Sequence, residues 1–475
     1  MGKSFFVIHI FEIITSMNNK FFKLSLLFAL AVAFTSCDWF PEPEEPQYEE
    51  ELNALLPSTQ YLVSYLTGTD HGRFQLQWSQ QLAGVRGVHL SVDRYNMVSD
   101  HSNEVWSLFY QNIIPNIELV IGHANQLEAP AYRGIAKILR AYNLGLMTDA
   151  WGDIPNTNAL FYSQGVYPAY DNQADIYLSI IDQLSSAITD LNNAATAAGP
   201  VPSQQVDLIY GGDLEKWKKA ANVMKLRYVL RIAHHAGEYD LAIPFLNPSS
   251  LFTGNQDDLK YTFQGNQINP YYYYENVVRN TRMGSYYVEK LKETNDPRLP
   301  VFVKKSTTNN EYFGSTPGAA NFNASFIGSQ IAGEQAPVLL ITYVEQKFIE
   351  AEIYLRIGQQ DMADQAFEQA VKASLQRYAV SNPAWEAQYA ELENVTLEQI
   401  ISAKYLALFL NPEVWSDFRR TGYPALTPYE DATNEEAEPQ IPRHFLYPTS
   451  EAIQNATNMP ADVTIFTRMW WDVVQ

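Results

Sequence analysis

Cysteine is nearly absent from this chain, and basic residues are scarce. One cysteine, Cys37, occurs in 475 residues, so a disulfide bond within the chain is excluded. Lys and Arg together number 32 against 53 Asp and Glu, which sets the formal net charge at −21 at pH 7. Such a charge makes nucleic acid a poor partner and disfavours simple adhesion to anionic lipid, because both need exposed positive charge.

Common catalytic and metal-binding patterns are also missing. The sequence has no HExxH spacing, no cysteine pair and no clustered set of acids and histidines, so no metal ligand is predicted. A GxSxG elbow and a glycine-rich phosphate loop are absent too. Asp149 and Asp153 lie four residues apart, as paired glycosidase carboxylates could, but they flank a Trp-Gly turn that they can fix or cap. We therefore predict a binding protein with no catalytic residue, metal or cofactor.

A long apolar run is found only near the N-terminus. Two lysines precede the apolar stretch Leu24–Phe34, and small residues follow it up to Ser36. This order of charge, apolar core and small residues is typical of a removable signal peptide. The stretch is shorter than the roughly 20 residues that a membrane-spanning helix needs. We predict a signal peptide over residues 1–36, with Met17 as an alternative start.

Cys37 directly follows that signal, where an unpaired thiol calls for an explanation. The small residues before it resemble the bacterial lipobox, in which the signal is cleaved and the cysteine becomes the lipidated N-terminus; Phe34 departs from the usual Leu. A buried free cysteine is the alternative. We predict that Cys37 is the lipid attachment site, since several acyl chains on one residue give stable anchoring.

Residues 37–51 combine acidic residues and prolines without any Lys or Arg. Such a segment repels itself and is predicted to form an extended, flexible tether. Acidic residues directly after a lipidated cysteine also resemble the signal that sends lipoproteins of the Bacteroidota to the cell surface. The predicted location is therefore the outer membrane, lipid-anchored and facing the cell exterior, with residues 52–475 as one domain.

Helical periodicity dominates that domain. Apolar residues recur at a spacing near 3.6 in several stretches. Pro115 should kink or split the first of them, and a loop over Asp149–Pro155 should follow the second. The predicted helices are Val105–Leu127, Ile135–Met147, Ile176–Leu191 and one whose N-terminus is capped by Asp213.

One stretch carries the signature of a helical repeat. Small and aromatic residues alternate there at the spacing of a tetratricopeptide helix–turn–helix, namely Ala351, Tyr354, Gly358, Ala363, Phe367 and Ala370. From about Gly199 to Pro337 this periodicity lapses, and frequent Gly, Pro, Asn and Tyr favour loops with short strands. The predicted fold class is mainly α: a tetratricopeptide-like helical-hairpin scaffold with loop-rich, short-strand insertions.

Motifs along the chain resemble those of the SusD/RagB family of lipoproteins, particularly its SusD-like group. Thr148–Pro155 resembles the family's "D.yGdiP" segment, and Trp217–Arg227 resembles its "W.kfaNsLklR" helix. Asp296–Pro300 matches the "DPRLP" turn, and Phe348–Leu355 corresponds to the helix written "E..fl.AEa..r". Trp415–Pro424 is very similar to "W.d.RRTGyP". The motifs follow the order expected for the family.

This resemblance implies a mostly helical fold with tetratricopeptide-like pairs as its scaffold. It also implies a partner, a SusC-like TonB-dependent outer-membrane transporter, on which the lipoprotein sits as a hinged lid. Family ligands are usually glycans, and peptide-binding members exist. The expected function is thus a surface-exposed, nutrient-binding lid subunit for a glycan or oligosaccharide. A peptide-binding lid subunit and a surface glycoside hydrolase are the alternatives.

Aromatic residues in loops are the candidates for contact with a ligand. Sugar C–H faces lie well against rings, while sugar hydroxyls bond to polar side chains. Two aromatics follow the first helices, where family members place ligand-facing loops, and a run of four tyrosines in the non-periodic region cannot point into one core. Core packing is the alternative for each ring. The candidates are Trp78, Tyr95, Tyr272, Tyr273, Tyr274, Arg279 and Asn280.

Overall fold

Helices make up most of the chain in the computed structural model, which describes residues 47–160, 167–390, 392–431 and 439–473. The predicted signal peptide, Cys37 and residues 38–46 of the tether lie outside the described residues. The first helix begins at Tyr48, so it starts before the predicted domain boundary, and residues 48–51 form its first turn. Three glutamates occupy that turn, where negative charge stabilises the positive end of the helix dipole.

The helices and strands follow one another along the described residues with short 3-10 and π turns between some of them. In chain order they are α1 (Tyr48–Gly68), α2 (Asp70–Trp78), β1 (Leu82–Gly84), α3 (Gly87–Asp93), α4 (Asn103–Ser107), α5 (Ile114–Gln126), α6 (Pro130–Trp151), α7 (Gln173–Asn193), α8 (Leu214–Ala236), β2 (Leu259–Thr262), α9 (Pro270–Tyr273), β3 (Thr281–Met283), α10 (Ser285–Glu293), α11 (Leu299–Phe302), β4 (Val303–Lys304), β5 (Phe326–Ile327), β6 (Pro337–Ile341), α12 (Tyr343–Arg356), α13 (Gln360–Arg377), α14 (Pro383–Ala390), α15 (Leu397–Ala407), α16 (Glu413–Thr421) and α17 (Thr449–Gln454).

Helices that follow each other in the sequence pack together as hairpins. The pairs α5 with α6, α6 with α7, α7 with α8 and α12 with α13 are in extensive contact, and α1 packs against α5. The α12–α13 pair is the predicted tetratricopeptide unit, with Ala351, Ala363 and Ala370 fully buried. Gly358 lies in the turn with φ of +75°, a conformation that favours glycine. The mainly helical fold class predicted from the sequence is confirmed.

The start of α5 and the end of α6 can be compared with the sequence predictions. A π turn over Leu108–Ile113 precedes α5, and Pro115 lies in the first turn of that helix, so the regular α-helix is interrupted next to Pro115, where the sequence predicts a kink or a split. The predicted loop beginning at Asp149 is wrong at its start, because α6 continues to Trp151 and ends at Gly152, whose φ is +68°. Trp151 is fully buried, and its burial favours the extra helical turn.

The N-terminus of α8 is capped as predicted. The Asp213 carboxylate accepts hydrogen bonds from the backbone N–H groups of Glu215 and Lys216, both at 3.1 Å. Such a cap satisfies donors that have no partner within the helix. At the other end, Gly237 has φ of +71° and terminates the helix in the left-handed region.

Large aromatic side chains fill the core between the helices. Five tryptophans are among the largest fully buried side chains: Trp78, Trp151, Trp217, Trp415 and Trp471. An aromatic side chain buries roughly 150–250 Å², which at about 25 cal/mol per Å² corresponds to about 4–6 kcal/mol before the entropy cost of ordering. The high tryptophan content of the sequence therefore serves the core.

Three two-stranded antiparallel sheets occur among the described residues, and two of them, β1 with β3 and β2 with β6, join distant parts of the chain. Leu82–Gly84 pairs with Thr281–Met283, with Ala83 opposite Arg282. β2 pairs with β6, and β4 pairs with β5. Five of these short strands, β2 to β6, lie in or next to the segment where the sequence predicted loops and strands, whereas β1 lies outside it. The first sheet positions the surface described below.

Charged residues of the family-type motifs are buried in ion pairs inside the helical body. Arg227 donates to both carboxylate oxygens of Glu345, at 2.5 and 2.6 Å. Arg231 donates to Asp149 Oδ2 at 2.8 Å and to Glu413 Oε2 at 2.7 Å. Removing one partner of a buried pair costs about 3–5 kcal/mol, because the other charge is left uncompensated. These ion pairs, in which Arg227 and Asp149 belong to the motifs, stabilise the fold.

A second buried network centres on Arg420 in α16. Its guanidinium binds the Glu352 carboxylate of α12 and donates to Asp417 Oδ1 at 2.9 Å. Lys404 Nζ of α15 lies 2.7 Å from Asp417 Oδ2. Burial alone would raise the pKa of Glu352, but the Arg420 charge holds it below its usual value. The network ties three helices together.

No helix among the described ranges has both the length and the apolar character that crossing a membrane requires.

Candidate functional site

Trp78 lies in the core and has no surface for a ligand. Its side chain is 0% exposed, and its indole N–H donates to the Val92 carbonyl at 3.1 Å. The ring packs at 5.4 Å from Trp415 and edge-on at 5.2 Å from Phe445. The prediction that Trp78 contacts ligand is therefore wrong, because the last turn of α2 faces the C-terminal aromatic cluster.

Tyr95 is buried and packs against Tyr429. Its side chain is 7% exposed, and burial raises the pKa of its hydroxyl. That hydroxyl accepts a hydrogen bond from the backbone N–H of Tyr429 at 3.1 Å, and the two rings meet edge-on at 6.1 Å. Its predicted role in direct contact is thus replaced by a positioning role beneath Tyr429.

The tyrosine run forms α9 and the π turn that follows it, and its side chains point to different surroundings. Tyr271 is buried, Tyr272 and Tyr274 are half-buried, and Tyr273 is 42% exposed. Asn269 caps the short helix by accepting from the N–H of Tyr271 at 2.7 Å. As the sequence indicated, the four rings do not share one core.

Tyr274 and Asn280 are partners of a buried arginine. The Arg73 guanidinium lies 3.6 Å from the centre of the Tyr274 ring, donates to Asp70 Oδ1 at 2.9 Å and donates to Asn280 Oδ1. Burial alone would raise the pKa of Asp70, but His89 and Arg73 lower it. A cavity of about 270 Å³ opens beside Asp70 and Tyr274.

Pairing of β1 with β3 brings Arg279 and Arg86 to one surface, and the buried Arg282 lies close to both. The Val85 N–H donates to the Asn280 carbonyl at 2.9 Å, which places the loops around Arg86 and Arg279 side by side. Arg86 and Arg279 are exposed. Burial lowers the pKa of Arg282, and the charges of Arg279 and Arg86 lower it further, whereas the charge of Glu275 raises it.

Two phenylalanines complete this surface. Arg282 stacks 4.0 Å from the centre of the Phe326 ring and donates from Nε to the Phe322 carbonyl at 3.1 Å. Phe322 is 49% exposed. We call Arg86, Arg279, Arg282, Phe322 and Phe326 the arginine–phenylalanine face. The sequence analysis found Arg279 but missed the others, since only strand pairing across the chain brings them together.

A cleft larger than the cavity beside Asp70 is lined in part by the loop Thr316–Ala319. Its volume is about 770 Å³, and we call it the Tyr286–Tyr429 cleft. Both rings are half-buried. The lining residues are Gln80, Arg94, Ser285, Tyr286, Glu289, Thr316, Pro317, Gly318, Ala319, Thr427, Pro428, Tyr429, Glu430 and Asp431. The chain segment that supplies Gly318 to this cleft also supplies Phe322 to the arginine–phenylalanine face.

Hydrogen bonds to Gly318 hold the cleft loop in place. The Gly318 N–H donates to Asp93 Oδ2 at 2.5 Å, and Arg94 Nε donates to the Gly318 carbonyl at 3.0 Å. Gly318 has φ of +74°, and a Cβ there would lie 2.3 Å from the Tyr429 ring, so only glycine fits. Burial raises the pKa of the Asp93 carboxyl to about 7.

The carboxylates that line the cleft lack the burial that a glycosidase acid has. Glu289, Glu430 and Asp431 line it but are exposed, and a glycosidase acid needs a protected carboxyl. Asp149 is buried against Arg231, and Asp153 Oδ1 accepts from the Gln173 N–H at 2.8 Å at the start of α7. The described residues hold no group of three or more His, Cys, Asp or Glu side chains suited to a metal ion.

Comparison with known proteins connects the chain to one family. A family model described as SusD-like, starch-binding and associating with the outer membrane matches residues 43–448. A search of curated proteins finds no match. Many solved structures of SusD homologues share the fold.

Two of these structures illustrate the similarity. A chitin-binding SusD homologue from Flavobacterium johnsoniae is 24% identical, with a TM-score of 0.76 over 89% of this chain and 98% of the homologue. A SusD-like protein from Bacteroides thetaiotaomicron is 23% identical, with a TM-score of 0.76 over 88% of this chain and 98% of that one. At these identities the structures establish the fold.

Proposed function

The chain belongs to the SusD-like family, and on that premise we propose that it binds a glycan in the Tyr286–Tyr429 cleft. The observation that carries the proposal is the cleft itself, in which two half-buried tyrosine rings stand among hydroxyl, amide, carboxylate and guanidinium groups. Rings accept the C–H faces of sugars, and the polar groups bond to their hydroxyls. Its volume of about 770 Å³ lies within the range of roughly 300–1,000 Å³ usual for ligand sites.

The finer parts of the proposal concern membrane attachment and the partner. We infer that Cys37 carries the lipid anchor at the outer membrane, facing the cell exterior, and that a SusC-like TonB-dependent transporter receives the ligand beneath a lid formed by this protein. The lipobox-like residues before Cys37 and the family membership support this. Affinity purification from detergent extracts should recover a large outer-membrane transporter. Its repeated absence would contradict the lid role.

A peptide ligand is the second candidate, and the charges of the cleft favour a basic one. Glu289, Glu430 and Asp431 face a single arginine, Arg94, among the lining residues. Opposite charge would attract a cationic peptide and steer its association. Binding of a lysine- or arginine-rich peptide in preference to any oligosaccharide would replace the glycan proposal.

The binding test compares ring removal with ring retention at one position. Oligosaccharides and peptides are titrated against the purified protein by calorimetry, and then against Tyr429→Ala and Tyr429→Phe. Loss of one stacking ring is expected to cost about 1.5 kcal/mol, which weakens binding about tenfold. Tyr429→Phe should retain stacking.

A matched control uses a tyrosine elsewhere in the fold. Tyr354 is half-buried on α12 and does not line the cleft, so Tyr354→Ala should leave Kd unchanged. If Tyr354→Ala and Tyr429→Ala weaken glycan binding equally, the cause is a global change in the protein and not the loss of a ligand contact. Unchanged glycan affinity in Tyr429→Ala would remove the cleft from the proposal.

A further inference from the structure

A separate cavity of about 380 Å³ lies where α4 and the π turn after it meet α17. It shares no lining residue with the Tyr286–Tyr429 cleft, and we call it the Trp106–Glu451 cavity. The Ser450 N–H at the start of α17 donates to Asn103 Oδ1 on α4 at 3.2 Å, which joins the two walls. A volume of this size suits a small organic molecule. Hydroxyl and amide side chains line part of the cavity, namely those of Asn103, Ser107, Gln111, Ser450 and Gln454.

Aromatic rings form another part of the wall. Trp106 on α4 and Tyr110 in the π turn both line the cavity, and their ring centres lie 4.8 Å apart. Tyr110 is fixed through its hydroxyl, which donates to the Pro155 carbonyl at 2.7 Å. Tyr170 stacks on Trp106 with the ring centres 6.3 Å apart. Because the faces of aromatic rings carry partial negative charge, a wall of this kind attracts cations.

The Glu451 carboxylate lines the same cavity, although the residue is only 4% exposed. Its Oε2 accepts from the Tyr170 hydroxyl at 2.8 Å and from Asn455 Nδ2 at 3.0 Å. Its other oxygen, Oε1, accepts from no donor in the described part of the chain, yet it is not closed to solvent. The fold therefore holds one oxygen in place and leaves the other available to a molecule in the cavity.

The negative charge of Glu451 has no counter-charge in the cavity. No Lys, Arg or His occurs among the described lining residues, and residues 161–166 contain none either. Burial raises the pKa of Tyr110, and the charge of Glu451 raises it further, whereas Arg140 lowers it. Arg140 is already paired, however, since its Nε lies 2.8 Å from Glu118 Oε1. A carboxylate buried to this extent is ordinarily paired with a positive charge, so the cavity favours a cationic ligand.

We propose that the Trp106–Glu451 cavity binds a small primary ammonium compound. The ammonium group donates to Glu451 Oε1, and the molecule lies against the rings of Trp106 and Tyr110. A primary ammonium has N–H donors for the open oxygen, and such charge-assisted hydrogen bonds are about twice as strong as neutral ones. A quaternary ammonium has no such donor. The site stands on these side chains alone and does not depend on the glycan proposal.

The test uses two ammonium compounds, each with a neutral match of similar shape. 2-Phenylethylammonium is compared with 2-phenylethanol, and D-glucosamine with D-glucose, by calorimetric titration of the intact protein at about pH 6 and constant ionic strength. At least one ammonium compound should saturate a single site and bind about tenfold more tightly than its neutral match. The tighter of the two shows whether the body of the ligand is apolar or hydroxylated. If neither ammonium compound saturates a site, or if neither exceeds its neutral match, the proposal is overturned.

Two variants separate binding in this cavity from general attraction of cations to an acidic protein. Glu451→Gln keeps an oxygen for Tyr170 and Asn455 but replaces Oε1 by an amide nitrogen, which should weaken ammonium binding about tenfold or more. Ser450→Trp, at a half-buried position, fills the cavity and should abolish binding while the circular dichroism spectrum stays unchanged. Glu238→Gln, at an exposed position, removes the same charge and should leave Kd unchanged. Undiminished binding in Glu451→Gln, or equal weakening in Glu238→Gln, would place the ammonium elsewhere and refute the proposal.

Discussion

Replacing Asp93 by Asn should remove one component of the pH dependence of stability. Burial raises the pKa of the Asp93 carboxyl from 3.8 to about 7, against the hydrogen bonds from Gly318, Gly84 and Gln77 and the charge of Arg94. The side chain is 2% exposed, so solvent screening is small. At about 1.36 kcal/mol per pKa unit, the ionised carboxylate costs the folded state about 4 kcal/mol.

The direction of this pH dependence follows from whether Asp93 binds its proton more tightly in the folded or in the unfolded state. Because the pKa is higher in the folded state than in the unfolded chain, this group's contribution is most favourable below about pH 4 and is lost as the pH rises to about 7. Between pH 5 and pH 8 the loss amounts to about 2.5 kcal/mol. Asp93→Asn keeps an oxygen that can accept from the Gly318 N–H but does not titrate.

The measurement is the free energy of unfolding in urea, followed by tryptophan fluorescence at pH 5, 6, 7 and 8. The stability of the wild type relative to Asp93→Asn should fall by about 2.5 kcal/mol over that range. Asp240→Asn, at an exposed position, controls for the loss of one charge and should follow the wild-type profile. Parallel profiles for wild type and Asp93→Asn would refute the reasoning.

Three further substitutions test the fold and the anchor. Cys37→Ser should release the protein from washed membranes, and retention there would contradict the lipid anchor. Glu352→Gln removes one of the two carboxylates that pair with the buried Arg420 and should lower the unfolding free energy by about 3 kcal/mol, whereas Glu386→Gln on α14 should change it little. Gly145→Ala places a Cβ 1.8 Å from the Tyr228 hydroxyl oxygen and 2.4 Å from the ring carbon Cζ, and it should cost about 1–3 kcal/mol. Part of the loss should be recovered in a double variant with Tyr228→Phe; no recovery would show that the hydroxyl does not cause the clash.

The sequence alone was sufficient for several of the long helices, one helix cap and the repeat unit. Asp213 caps α8, and Pro115 lies at the start of α5, because caps and prolines act on the neighbouring turn. Gly358 and the alanines of the α12–α13 hairpin are close in sequence, so their spacing predicts how the two helices pack. The family-type motifs were equally readable, since each is a continuous stretch.

The tertiary structure decided which aromatic residues line a cleft and which lie in the core. Trp78 and Tyr429 are both aromatics in or near loops, yet one is fully buried and the other lines the cleft. Burial depends on what packs against a side chain, and the partners of Trp78 come from the far end of the chain. The pairing of β1 with β3 likewise places Arg86 beside Arg279. Helical periodicity is a property of neighbours, whereas a binding surface is assembled from contacts between distant segments, which no local pattern records.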